Sequence, residues 1–288
     1  MTTRPVTGWR RIAAAAWRPP SDPQIYGDLD VDAAALLAYA DRVRRETGVH
    51  VTVTHLAGRA VAYALAQCPD VNGVLRRGRF RPRGQVDVFF IATVGAGDLS
   101  GVKVENADRK SAVDVALEVS TRVRAITEGR DPEFGRTKRL TARAPLPLLR
   151  AGLRLGAWLT ADHELHLPGL GLPRHAFGSA MVSSVGMFGV RHAYAPLAAF
   201  YRVPFLVLVG EVTPQPVAVE GLVVVRPVLP LTATMDHRYV DVAHAARLAD
   251  AVRDYCRDPA AHEPPLDLRV VPAPRTGPPV ATPSPTAT

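Results

Sequence analysis

The sequence predicts one α/β domain built around a mixed sheet. Amphipathic segments of helical period lie toward both ends of the chain, and apolar runs of strand length fall between them. No internal repeat is visible, and 288 residues are enough to bury a full core. The balance of 47% hydrophobic and 22% charged residues is that of a globular protein. Of the 35 basic residues only Lys103, Lys110 and Lys138 are lysines, which leaves 35 − 3 = 32 arginines and a formal charge of +8. Aromatic residues are sparse and not interleaved with the arginines, which argues against a nucleic-acid groove. A basic surface suits an anionic ligand.

In order along the chain, Gly8–Trp17 reads as a short helix, and "RPPSDPQ" then enforces extended backbone. Asp30–Glu46 reads as an amphipathic helix opened by acids and closed by Gly48. A brief strand or turn precedes a helix from about Thr54 to Gln67, which stops before Pro69. Val86–Val94 is apolar enough for a buried strand, and Gly95–Gly101 ("GAGDLSG") reads as a plain turn without the spacing of a phosphate loop. Ser111–Glu128 is a further long helix.

From Thr137 to His175 the character changes. Leu146–Leu159 reads as a helix with Arg150 and Arg154 one turn apart. A basic amphipathic helix can lie on a membrane surface, but packing on the domain or on a partner subunit is the plainer expectation. "DHELH" (Asp162–His166) reads as a solvated loop and not a metal cluster. Three strand runs follow, in "SAMVSSVGMFG", "PFLVLVGEV" and "GLVVVRPVLPLTATMDH", and Asp241–Arg257 closes as a helix. Residues 1–263 are expected to form the domain, and the Pro/Thr/Ala-rich stretch 264–288 a disordered tail. Two cysteines without a motif and the absence of any run long enough to span a bilayer point to the cytoplasm.

Chemistry concentrates in two places. His237 ends the last strand with Asp241 four residues on, so an imidazole with a pKa suited to proton abstraction sits at a sheet edge. The same residues read equally as ordinary helix-capping polar groups, or with His244 as a metal-binding face if the helix begins at His237. In "VSSVG", Ser183 and Ser184 end a strand before a glycine turn and could present a hydroxyl to an oxyanion. The stretch lacks the G-x-S-x-G elbow of a serine nucleophile.

The run from "SSVGMFGV" through "PFLVLVGEVTPQPVAVEGLVVVRPVLPLTATMDHRYVDVAHAARLADAVRDY" resembles the catalytic core of the dihydrolipoyl acyltransferases of 2-oxoacid dehydrogenase complexes. Upstream, "RRIAAAAW", "DLDVDAAALLAYADRVRRETG", "VTHLAGRAVAYALAQCPDVN" and "DVALEVSTRVR" follow the family order, so the likeness covers roughly Trp9 to Pro259. Three departures stand out: no lipoyl or peripheral-subunit-binding domain, an apparent insertion at 137–175, and Val242 and Ser184 in place of the family's glycine and asparagine.

The resemblance implies a chloramphenicol acetyltransferase-like α/β sandwich that forms trimers, with sites between subunits and possible further assembly. It implies acyl transfer between a coenzyme A thioester and a thiol or hydroxyl. His237 would be the general base and Ser183 the oxyanion stabiliser, with Ser184 and Arg238 in support. Asp241 would fix the helix start by pairing with an arginine, for which Arg11 is the candidate. No metal, nucleic-acid partner or membrane span is expected, whereas lipoamide and a lipoyl-domain partner are possible. The alternatives are an inactive trimeric scaffold, for which Val242 speaks, and a core that uses a lipoyl domain supplied by another chain.

Overall fold

A computed structural model describes residues 22–76, 79–94, 98–130, 145–163, 165, 175–198, 200 and 202–266. The expectations for Gly8–Trp17, for Arg11 and for the tail beyond residue 266 lie outside these described residues. The chain forms β1 (Gln24–Asp32), α1 (Ala34–Thr47), α2 (Val53–Gln67), the hairpin β2 (Gly73–Arg76) and β3 (Arg79–Pro82), β4 (Val88–Val94), β5 (Asp98–Val104), α3 (Ala112–Thr127) and α4 (Leu146–Ala157). Then follow β6 (Ala180–Ser184), β7 (Phe205–Val209), β8 (Thr213–Val219), β9 (Leu222–Asp236), α5 (Val242–Arg257) and the short α6 (Pro259–His262).

The main sheet runs β1-β9-β7-β6-β4-β5, with β8 also paired to β9. β6 is parallel to both β4 and β7, and the other pairs are antiparallel, so the sheet is mixed. Side-chain alternation separates its faces. Val88, Phe90, Ala180, Val182, Phe205, Val207, Leu229 and Leu231 meet helices α1, α2, α3 and α5 in the large core. Met181, Leu206 and Leu208 face the other way, into a small cluster with Val203.

Several sequence expectations are corrected. Asp28, Asp30 and Asp32 are the outward residues of an edge strand paired with β9, and α1 begins only at Ala34. Acids at alternate positions thus mark a half-buried strand, not a helix start. Asp98–Gly101 open β5 and are not turn residues. β8 carries Pro214 and Pro216, which break a strand pattern in sequence but are tolerated at the sheet edge that β8 occupies. Asp162 ends a wide helical turn at Trp158–Asp162 and pairs with Arg202 at 3.2 Å, so it is not a free loop residue. The helix expected to pack on the domain, α4, leaves Leu148 and Leu155 exposed.

Local signals explain the helix ends. Gly48 closes α1 in the left-handed conformation (φ 71°), and its N–H donates to the Arg44 carbonyl. Ser111 and Asp114 form a capping box at α3. At α2 the same role falls to Thr52 and a histidine: the His55 N–H donates to Thr52 Oγ1 (3.4 Å), and the Thr52 N–H donates to His55 Nδ1 (3.1 Å). Cys68 and Cys256 are free and buried, and burial pushes the Cys256 thiol up to about 12, which makes it a poor nucleophile.

A buried polar network ties the end of the domain to its middle. The Arg59 guanidinium donates to Glu263 Oε1 (2.8 Å) and to the Ala107 carbonyl, and Tyr255 donates to the same carboxylate oxygen (2.7 Å). The other oxygen accepts the Ala112 N–H at the start of α3. Glu263→Ala is expected to cost about 3–5 kcal/mol in denaturant unfolding, since it leaves Arg59 buried without its counter-charge. Leu266 also packs against the core. Removing residues after 266 should therefore leave the melting temperature unchanged.

Burial, and secondarily His50, lowers the His55 pKa to about 4. A depressed histidine pKa means that the unfolded chain binds more protons between about 4 and 6.5. Stability is thus fully present above pH 6.5 and declines as pH falls toward 4, by about 3 kcal/mol in total. Melting curves across that range should show the loss, and His55→Gln should flatten it.

Candidate active site

β9 delivers His237 to a fixed place. The last rung of the strand is Asp236, paired with Gln24, and its N–H donates to the Pro204 carbonyl (3.0 Å). The His237 N–H donates to the Pro23 carbonyl (2.8 Å), which anchors the turn to the segment leading into β1. Asp236 is buried, and its carboxylate accepts the Arg238 backbone N–H (3.0 Å) and the Arg238 guanidinium (2.5–3.1 Å). That pairing holds the Arg238 pKa above its usual value. On the far side of the turn, Tyr239 Oη accepts the Leu75 N–H (2.9 Å) and Val240 is fully buried.

Within this frame the imidazole has one orientation. His237 Nδ1 lies 2.7 Å from the Val240 carbonyl oxygen. A carbonyl can only accept, so Nδ1 carries a proton, which in the neutral ring leaves the lone pair on Nε2 of an exposed residue. This is the tautomer a general base at Nε2 requires.

Asp241 does a different job from His237. It is the N-cap of α5, accepting the His244 N–H (2.9 Å) and the His244 ring (Nδ1, 2.6 Å). These hydrogen bonds hold its carboxyl below the usual carboxylate range. His244 Nε2 lies 3.3 Å from Asp70, which also pairs with Arg247. The partner of Asp241 seen here is thus a histidine of its own helix. His237, Asp241 and His244 share no helical face, because the helix begins after Asp241. No group of three potential metal ligands forms among the described residues.

Ser183 sits elsewhere. Its rung is Ser183–Leu208–Thr232, whereas His237 follows Asp236 on the next strand but one. Five residue steps of β9, from Thr232 to His237, and two strand spacings separate them, roughly 17 Å along the sheet and 10 Å across it. Neither side chain can bridge that gap within one chain. Ser183 also points, with Met181 and Leu208, to the sheet face away from the helices. The turn after it depends on glycine: a Cβ at Gly186 would lie 2.5 Å from the Gly210 carbonyl oxygen. Ser184 is the last residue of β6 and half-buried.

Val242 is the first residue of α5, exposed and without a positive φ. It lines one end of an apolar pocket of about 310 Å³ between the sheet and α5, with Met235 and Ala245. A smaller cleft of about 140 Å³ is bordered by Gln24, Leu75, Arg202, Asp236, Arg238 and Tyr239. Asp236 and Tyr239 were not singled out in sequence. Strand parity puts Asp236 on the Thr232–Thr234 face, away from the helices, so nothing local marked it as buried.

Residues 175–262 match the model of the 2-oxoacid dehydrogenases acyltransferase (catalytic domain) family. Among curated proteins the chain is 24% identical over 264 residues to the dihydrolipoyllysine-residue acetyltransferase component of the acetoin cleaving system of Bacillus subtilis. That alignment covers 89% of this chain and 56% of the relative. It is also 24% identical to a probable dihydrolipoyllysine-residue succinyltransferase of Schizosaccharomyces pombe, covering 82% of this chain and 44% of the relative. The chain therefore spans about half the length of these relatives.

In fold it matches a probable dihydrolipoamide acetyltransferase from Listeria monocytogenes (TM-score 0.62, 19% identity, 89% and 94% of the two chains). It also matches the Azotobacter vinelandii dihydrolipoamide acetyltransferase (TM-score 0.62, 21% identity, 91% and 93%). In the latter, a serine, a histidine and an asparagine were investigated for their role in the catalytic mechanism.

Removing the cap oxygen in Asp241→Ala should lower the melting temperature modestly and fray the start of α5. Asp241→Asn, which keeps an acceptor, should restore most of it; helicity by circular dichroism reads both.

Proposed function

We propose that this chain, which resembles the 2-oxoacid dehydrogenase acyltransferases in sequence and shares the fold of their catalytic cores, transfers an acyl group from a coenzyme A thioester to a thiol or hydroxyl acceptor. The observation that carries the reading is the hydrogen bond from His237 Nδ1 to the Val240 carbonyl, because it leaves Nε2 free to accept a proton. In the proposed step Nε2 takes the proton of the acceptor S–H or O–H. The acceptor atom attacks the thioester carbonyl carbon, and the resulting oxyanion accepts a hydrogen bond from a serine hydroxyl. Collapse breaks the carbon–sulfur bond, and the departing coenzyme A thiolate regains the proton from the imidazolium.

Ser183 is our candidate for the oxyanion donor, supplied by a neighbouring copy. The separation of its rung from His237 supports this, since one chain alone cannot assemble the pair. The β8–β9 hairpin, with Leu222, Val223 and Val225 exposed, and the loop carrying Met187 and Phe188 next to Ser183 offer apolar surface for such an assembly. A ring of three copies is the assembly we infer. Val242 speaks weakly for an inactive scaffold, because a valine in the first helical turn leaves the His237 turn untouched. A lipoyl group carried by another chain remains a second candidate acceptor, favoured by the dihydrolipoyllysine-residue transferases among the relatives.

His237→Ala should remove most thioester-dependent transfer, and Ser183→Ala should cost about a hundredfold in kcat. Val242→Gly should change the rate only modestly. Co-assembly of His237→Ala with Ser183→Ala chains should recover about a quarter of the wild-type rate if neighbours in a closed ring complete each other's sites. A wild-type protein inert toward every acyl-coenzyme A and lipoamide pair, or a stable monomer in light scattering, would sink the reading.

A further inference from the structure

Helix α4 and the turn at Trp158–Asp162 stand apart from both cores. Gly156, Ala157 and Thr160 are their buried edge, whereas Leu148, Leu155 and Trp158 are 66%, 56% and 46% exposed. At about 100° per residue Leu148 and Leu155 fall within about 20° of one another, with Ala151 and Gly152 beside them. Trp158 flanks this strip, and Arg154 and then Arg150, both exposed, lie beyond it. From Pro145 to Ala161 there is no acidic residue, and Asp162 is engaged by Arg202. In sequence, 136–154 holds six basic residues (Arg136, Lys138, Arg139, Arg143, Arg150 and Arg154) and no acid.

We propose that α4 lies flat on an anionic lipid bilayer, with Leu148, Leu155 and Trp158 at the boundary between headgroups and acyl chains, Arg154 reaching lipid phosphates from the flank and Arg150 adding to the positive field of the helix. Charge decides the occupant. An apolar strip flanked by Trp158 and then Arg154, with Arg150 farther round the helix and no acid among them, meets a surface that is both apolar and negative at such a bilayer. A second copy brings the same positive face and a formal charge of +8, so it complements the arginines less well than an anionic bilayer does. The helix lies on the surface and does not cross it: its 12 residues span about 18 Å, against a hydrocarbon core of about 30 Å. No described helix is long and apolar enough to cross a membrane.

The test is sedimentation of the full-length protein with vesicles of phosphatidylcholine alone and of phosphatidylcholine with phosphatidylglycerol. Binding to the anionic vesicles and not to the neutral ones is expected, with loss at high salt. Leu148→Asp with Leu155→Asp should weaken it by at least about tenfold, because two leucines no longer leave water. Arg150→Gln with Arg154→Gln should weaken it severalfold and leave folding untouched. Size by light scattering should stay that of the wild type in all variants. Equal binding to neutral vesicles, no binding, or insensitivity to both double variants overturns the proposal. So does a change of oligomeric state in the leucine variant, which would make this face a subunit contact. None of these outcomes depends on acyl transfer.

Discussion

The register of β9 is the constraint on which the rest hangs. This 15-residue strand pairs with β8 over its first half and lies between β1 and β7 over its second. Its ladder with β1 runs unbroken from Val228 to Asp236, so the position of His237 is set by nine consecutive rungs and not by a flexible loop. The same ladder, carried through β7 to β6, places Ser183 level with Thr232 and out of reach of His237. A slip of one residue would turn Leu229, Leu231 and Met235 away from the core, so burial itself enforces the separation.

Around that strand the protein spends its buried polar groups on position. Asp236 gives its carboxylate to Arg238, the Pro23 and Val240 carbonyls hold the two ends of His237, and Tyr239 reaches back to Leu75. The carbonyl contacts fix the imidazole directly, and the Asp236–Arg238 pair beside it is mutually neutralised, so the ring is held in one orientation at an exposed position. On the other side of the helical layer, Arg59 and Glu263 form a paired charge whose oxygens also satisfy Tyr255 and the start of α3. A buried ion pair of this kind adds little net stability but specifies where the chain after α5 must dock.

Much of the architecture was legible because its signals are local. The caps at Ser111 and Gly48, the helical period of α2, α3 and α5, and the apolar runs of β4, β7 and β9 each depend on neighbours within a few residues. β1, β5 and β8 were missed for a shared reason. Their strand character comes from a partner distant in sequence, which overrides alternating acids in one, glycines in another and two prolines in the third. The Asp-His-Arg run was visible, yet the burial of Asp236 was not, since a carboxylate reads as solvent-facing until its guanidinium partner is in place.

By itself the sequence determined the fold class, the residue types able to move a proton or stabilise an oxyanion, and the likeness to an acyltransferase family through a contiguous stretch ending in His237 and Asp241. Composition and periodicity are properties of the chain, so no third dimension was needed to read them. Tertiary structure alone decided that His237 presents Nε2, that Asp241 caps a helix with His244, and that Ser183 lies five rungs from its expected partner. It alone left the leucines of α4 facing outward. These are facts of distance and orientation between segments far apart in sequence, and pairing register, not local propensity, fixes them.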